Sequence, residues 1–331
     1  MTLIRRLGRA ANVTLRRFGY QVIASAAKPE GRGGAPAPLP SGAADYLRPD
    51  HPRLLELERA YARFDSRATT PLLWKRQHVS GYDLRYFRGD NAYVWQIRDG
   101  ASEINYVLTA YYVKTIDALG LLDKLQEDEL LGVHAFTVDG RIVSRDLLDS
   151  IVEINFLQRQ LAISSRQGFT VLDVGAGYGR LAHRMVSAFP GIGPYFCADA
   201  VAASTFLCDY YLGFRGVADR ARAIPLDRLE ETLAGRRIDL AINVHSFSEC
   251  TRDAVEWWLE LLRRHEVGHL FVVPNPIDHG GERLLTNEGV DMLPLIERYY
   301  RLLAKSPKYA DPALQRHGIQ HTWHYLFEAK C

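Results

Sequence analysis

The chain is poor in cysteine, methionine and lysine, with 4 Cys, 3 Met and 7 Lys among 331 residues. The cysteines at 197, 208, 250 and 331 form no C-x-x-C pair, and two fall inside expected strand or helix. They read as reduced thiols of a cytoplasmic protein. Long apolar runs are absent: no stretch approaches the roughly 18 uninterrupted apolar residues of a spanning helix. Excess charge is also lacking, since 41 basic against 39 acidic residues leave +2. The 34 arginines outnumber the 7 lysines as a genome bias rather than a functional sign. No basic face marks nucleic acid as a partner. With 47% hydrophobic and 24% charged residues, the chain has a soluble balance and the length of one large or two modest domains.

The most informative stretch is Val171-Leu172-Asp173-Val174-Gly175-Ala176-Gly177-Tyr178-Gly179-Arg180. It is an apolar strand with an acidic residue, then a glycine-rich turn, then a helix. Glycines at 175, 177 and 179 let a ligand lie against bare backbone and permit unusual φ angles. A dinucleotide fingerprint, G-x-G-x-x-G, has its third glycine one residue later, where Arg180 stands here. Asp173 would also repel a pyrophosphate but suits a cationic amino group. D-x-G-x-G-x-G therefore reads as a turn for S-adenosylmethionine, with Asp173, Gly175, Ala176, Gly177, Tyr178, Gly179 and Arg180 as its contacts.

A second landmark follows at Pro194-Tyr195-Phe196-Cys197-Ala198-Asp199. A carboxylate at the end of the next strand accepts from both ribose hydroxyls, and Asp199 is the candidate. The competing reading is an aspartate that only caps the helix beginning near Ala202.

Residues 1–30 carry a basic amphipathic helix: Leu3, Ile4, Leu7, Ala11, Leu15 and Phe18 share one face and five arginines the other. Three readings compete for it: a helix lying on a membrane surface through residues 3–18, a helix docked on protein, and a targeting peptide. Residues 31–44 read as a flexible linker. Residues 45–165 read as a mainly helical cap that covers the acceptor, with helices at Pro52–Phe64 and Glu103–Ala118. A hairpin closes at Asp139-Gly140, and a helix capped by Ser144 runs from Arg145 to Ile163. Of Trp74, Trp95, Tyr106, Tyr111 and Tyr112, core is the expected role, with sugar stacking the alternative.

Residues 166–331 alternate strand and helix. Strands are expected near 169–174, 194–199, 221–225, 238–244 and 269–274, followed by a helix at Asp291–Arg298 and final strands at Tyr300–Lys305 and Thr322–Glu328. This predicts an α/β protein with a Rossmann-like, seven-stranded, doubly wound sheet closed by an antiparallel hairpin. Ligands of such sheets bind beyond the carboxyl ends of the parallel strands.

The fourth of these strands delivers Asn243 and the turn Val244-His245-Ser246-Phe247-Ser248-Glu249 to that edge. His245 is the expected general base, since an imidazole titrates near working pH, and Glu249 orients it, binds acceptor hydroxyls or is itself the base. Asn243 fixes the loop or the cofactor. Asn275 and His279 follow the fifth strand, and His317 and His321 lie after the sixth, all as acceptor-side residues. No metal is expected: strand alternation separates His321 from His324, and a site through Asp278 and Asn275 lacks a carboxylate at the end of the fourth strand.

Asp173 to Leu181, the turn at Asp199, the Cys208-Asp209-Tyr210-Tyr211-Leu212 helix end and Asn243 to Cys250 together resemble the sugar O-methyltransferases, within the class I S-adenosylmethionine-dependent methyltransferases. The resemblance covers about residues 140–331, with Cys250 where that family commonly has Met. It implies that Gly175, Gly177, Gly179 and Asp199 bind cofactor, that Ser246, Phe247 and Glu249 form the acceptor-side turn, and that the acceptor is a sugar hydroxyl of envelope or secreted glycans. The resulting expectation is a cytoplasmic enzyme held at the inner face of the membrane. Methylation of a lipid or other small hydroxyl compound, or a non-catalytic membrane-tethered module of the same fold, are the alternatives. A dinucleotide oxidoreductase stands further off because of Arg180. The oligomeric state is not encoded in any motif.

Overall fold

A computed structural model describes residues 38–69, 80–89, 103–276 and 281–330. Five short strands, β3 (Val171–Val174), β4 (Tyr195–Ala198), β5 (Ala221–Ile224), β6 (Leu240–Val244) and β7 (His269–Val273), run parallel. Every residue of β3 and β4 is buried, as a parallel strand covered on both faces requires. β8 (Tyr300–Pro307) and β9 (Trp323–Ala329) complete a sheet of order β5-β4-β3-β6-β7-β9-β8, with β9 antiparallel to both neighbours. This is the expected doubly wound, seven-stranded sheet closed by an antiparallel hairpin, with the order reversing beside β3. A separate hairpin pairs β1 (Ala135–Val138) with β2 (Arg141–Ser144) through Asp139 and Gly140, both at positive φ.

The helices form where caps and periodicity direct them. Pro52 opens α1 (Pro52–Tyr61), capped by His51 Nδ1 accepting from Arg53 N. α2 spans Glu103–Ile116. Ser144 Oγ accepts from Leu147 N to start α3 (Arg145–Leu161), which ends at Ala162 in the left-handed region. α4 (Arg180–Ala188), α5 (Ala202–Phe214) and α6 (Arg252–Arg264) are three of the four crossovers between the parallel strands, and the short helix Leu229–Leu233 lies in the fourth. The expected helix over 291–298 is a single turn, Leu293–Ile296.

Alternation along the strands divides the core in two. Leu172, Val174, Ala241, Leu270 and Val272 pack with Leu54, Leu57, Tyr61, Phe206 and Trp258. Val171, Leu240, Ile242, Phe271 and Val273 pack on the other face with Tyr106, Leu148, Ile151 and Met185.

The described residues of 45–165 belong to the same compact unit, Ala37–Cys331, as the sheet, with α1 on one face and α2 and α3 on the other. α1 packs against α5, and α2 against α3, so each joins the layer of helices on its face of the sheet. At the end of the 31–44 stretch, Pro38 O accepts from Leu131 N and Ala43 is buried in a helical turn from Ala43 to Tyr46. The amphipathic helix at 3–18, Trp74, Trp95, Asp278, His279 and Cys331 lie outside the described residues.

Tyr106 is core, whereas Tyr111 is exposed and donates to Asp139. Cys197, Cys208 and Cys250 are free and buried. No described helix is long and apolar enough to cross a membrane.

Candidate functional site

β3 ends at Val174, and Gly175 N and Ala176 N both donate to Ala198 O, pinning the turn to the end of β4. The three glycines have φ of +72°, +56° and +85°, the left-handed region that side chains resist. Their surroundings differ. A Cβ on Gly175 would stand 2.1 Å from Ser246 Oγ, and one on Gly179 would stand 2.9 Å from Cys208 Sγ. A Cβ on Gly177 would meet nothing within 4 Å. Gly175 and Gly179 are thus needed for packing, while Gly177 presents backbone to open space, as a bound ligand requires.

Asp199 follows β4 and spans this opening. Its Oδ2 accepts from Gly177 N at 3.0 Å and its Oδ1 from Val201 N at 2.8 Å. Neither bond caps α5, whose N-cap Val201 makes no side-chain bond to the helix, and each carboxylate oxygen retains a lone pair for a further donor. Burial pushes this carboxyl up to about 7, against the two N–H bonds.

The other residues expected at the turn point elsewhere. Tyr178 is buried among Phe87 and Tyr211, and its hydroxyl donates to Asp146, so its side chain belongs to the core rather than to a ligand. Arg180 turns back to α3, donating to Glu153 Oε2 and Oε1 at 2.9 and 3.1 Å and to Ser150 Oγ at 2.8 Å. Its guanidinium is a tie between helices instead of the expected cofactor contact. Glu153 is buried deeply enough that burial still raises its carboxyl despite this partner. Asp173 lies beneath the turn, where it accepts from Tyr195 Oη at 2.8 Å and burial pushes it up to about 7.

On the far side, Asn243 holds the turn after β6: Nδ2 donates to Val174 O and Oδ1 accepts from Phe247 N. It fixes the loop, one of its two expected roles. His245, at φ +67°, bends the chain so that Ser246 rests over Gly175. Phe247 is 1% exposed and sits in the core, so it does not line an acceptor site. Glu249 Oε1 accepts from Asn275 Nδ2 and Ser248 Oγ accepts from Asn275 N, which joins the exits of β6 and β7.

His245 Nδ1 lies 3.3 Å from Pro274 O, a contact that places the proton on Nδ1 and the lone pair on Nε2. Burial pulls this imidazole down to about 3, with Arg145, Arg180 and Lys308 adding to the effect and Asp149 opposing it. The expectation that it titrates near working pH is corrected: desolvation and three cations keep it neutral.

Two of those cations, Arg145 and Lys308, come from a feature the motifs missed. α3 carries Arg145, Asp146, Asp149, Ser150 and Glu153, all buried. Asp149 accepts from Lys308 Nζ at 2.6 Å and from Arg145 Nε at 3.1 Å, and these two partners outweigh burial to hold its carboxyl low. Lys308 also donates to the carbonyls of Ile319 and Gln320, which anchors the chain after β8 against α3. The available signal was the spacing of acidic residues at 146, 149 and 153, which places them along one side of a helix that leads into the glycine strand.

His321 is half-buried, its ring stacked on Tyr309, and its Nδ1 is buried without a partner. His317 is exposed at the end of the helical turn Pro312–His317, with its carbonyl bonded to Asn105 Nδ2. His324 is buried between Phe156 and Phe271. Among the described residues no cluster of three or more His, Cys, Asp or Glu is placed to hold a metal.

No protein-family profile matches the chain. No curated protein matches it in sequence. Several solved structures are similar in shape. The cyclase SpnF is 15% identical over 70% of this chain and 97% of its own, with a TM-score of 0.40. An S-adenosylmethionine-dependent methyltransferase from Clostridium acetobutylicum is 11% identical over 54% and 89%, with a TM-score of 0.39. TrmK from M. capricolum, solved with S-adenosylhomocysteine, is 12% identical over 51% and 67%, with a TM-score of 0.33.

Proposed function

We propose that this chain is an S-adenosylmethionine-dependent O-methyltransferase whose cofactor lies across the carboxyl ends of β3 and β4. One observation carries the reading: the open side of Gly177 adjoins a carboxylate, Asp199, whose two oxygens each keep an accepting lone pair. Gly175, Ala176 and Gly177 form the cradle, Asp199 receives the ribose hydroxyls, and buried Asp173 contributes negative charge beneath the amino-acid end. When bound, S-adenosylmethionine supplies a methyl carbon already activated by its sulfonium.

The residues after β6 and β7 then have the task of aligning an acceptor hydroxyl and removing its proton. His245 Nε2 is a neutral acceptor for that hydroxyl hydrogen. Because burial and three nearby cations disfavour an imidazolium, the hydroxyl proton would pass to Nε2 as the new carbon–oxygen bond forms and then leave to solvent. Ser246, Asn275, Glu249 and His321 supply polar groups around the same edge. A sugar hydroxyl is the acceptor class best matched to that many hydrogen-bonding side chains.

The test is calorimetric titration of the purified chain with S-adenosylhomocysteine and with NAD(H), followed by transfer of labelled methyl into glycan, lipid and RNA fractions from cells lacking the protein. Binding of the first ligand and label in glycan are expected. Preferential NAD(H) binding sinks the cofactor assignment, and label in lipid or RNA replaces the acceptor class. His245→Gln should lower methyl incorporation by about 100-fold while leaving S-adenosylhomocysteine affinity within about twofold. An unchanged rate would remove His245 from the chemistry.

The basic amphipathic segment over 3–18 is proposed to hold the enzyme on an anionic membrane surface, close to lipid-linked glycan precursors. Deleting residues 2–30 should shift the protein from the membrane to the soluble fraction. An unaltered distribution refutes this placement.

A further inference from the structure

The order β5-β4-β3 has a consequence for the nucleobase. A nucleoside whose ribose is held by Asp199 after β4, and whose tail lies at the β3 turn, directs its base toward the end of β5. There the chain leaves Ile224 through Pro225 and Leu226. The base would therefore lie between this exit and the start of α5.

These two walls are joined by a side chain from α1. Tyr61, 6% exposed, receives the Leu226 N–H at 2.9 Å on its hydroxyl and shares a 2.8 Å hydrogen bond with Thr205 Oγ1. Thr205 N donates to Val201 O, and Val201 N donates to Asp199. A continuous hydrogen-bonded path thus runs from the ribose carboxylate through the first turn of α5 to Tyr61 and across to the β5 exit. Asp199 is near enough that its charge adds to burial in raising the Tyr61 hydroxyl.

We propose that Tyr61 is a positioning residue that sets the width of the nucleobase slot by tying the β5 exit to α5. The proposal rests on the cofactor reading above. Its chemistry is specific: the phenol oxygen accepts from a backbone N–H and the phenol shares a hydrogen bond with the threonine hydroxyl, so a phenylalanine of the same shape keeps the packing but loses the tie.

The experiment is titration of the full chain, its Tyr61→Phe and Thr205→Val variants and the double variant, using S-adenosylhomocysteine and 5′-methylthioadenosine, which lacks the amino-acid end. Each single change should weaken both ligands by about fivefold, and the double variant should lose little more than either, since one bridge is cut twice. Two independent variants keep the test open if one folds poorly. A lower melting temperature with unchanged dissociation constants overturns the proposal, as does a loss confined to S-adenosylhomocysteine. Wild-type protein that binds neither ligand refutes the cofactor reading itself, and Tyr61 falls with it.

Discussion

Gly175→Ala is expected to abolish S-adenosylhomocysteine binding and to destabilise the protein in the absence of ligand. The added methyl would lie 2.1 Å from Ser246 Oγ and 2.2 Å from Ser246 Cβ, at a backbone φ of +72°. Neither clash partner can simply swing away. Ser246 follows a strained His245, and Asn243 clamps the same turn to Val174 and Phe247. Left-handed strain and overpacking together should cost about 2–4 kcal/mol of stability. The displaced turn should reduce affinity by more than about 100-fold.

Gly177→Ala is the control that gives this prediction its content. At φ +56° with nothing within 4 Å of the new methyl, it should cost only about 1 kcal/mol of stability. Its methyl enters the open side of the turn, so binding should still fail. Thermal denaturation and calorimetry separate the two variants. If Gly177→Ala binds normally, the ligand does not lie on that side.

The second large effect is expected at Asp199, and it depends on pH. The folded carboxyl is pushed up to about 7 from an ordinary 3.8, so between those values the folded protein holds a proton that the unfolded chain has released. Its contribution to stability is full below about 4 and is lost as pH rises through about 7. On the proposed reading the ribose hydroxyls would donate to the ionised form, so binding would oppose protonation. Affinity for S-adenosylhomocysteine should rise by up to about tenfold per pH unit below 7 and level off above it. Asp199→Asn should bind about 100-fold more weakly at pH 8 and lose the slope.

Asp173 is also pushed up to about 7, beneath the same turn. A pH slope that persists in Asp199→Asn and disappears in Asp173→Asn would assign the titration to Asp173 instead. Unchanged affinity in Asp199→Asn at pH 8 would show that the carboxylate does not receive the ribose.

Legibility in the sequence differed by residue for physical reasons. The glycine turn and Asp199 could be read because they depend on local backbone geometry and on a position directly after a strand. Tyr178, Arg180 and Phe247 could not, because a residue inside a motif has two faces available and tertiary packing selects one. Here Tyr178 and Phe247 turned to the core, and Arg180 turned to the Glu153 carboxylate. His245 was located correctly at the β6 exit, but its protonation was not. An imidazole's pKa depends on burial and on charges from α3 and the β8 exit, which are remote in sequence.

By itself the sequence determined the alternation of strands and helices, hence a doubly wound sheet, since apolar periodicity and glycine breaks are local properties. It also determined which turn meets the carboxyl edge of the sheet. Only the tertiary structure decided that α1 closes the β5 side through Tyr61, that α2 and α3 lie across the opposite face, and that charges from α3, α4 and the β8 exit act on His245. Those outcomes rest on contacts between segments distant along the chain, where the cost of burying a polar group is settled by whichever partner the fold brings to it.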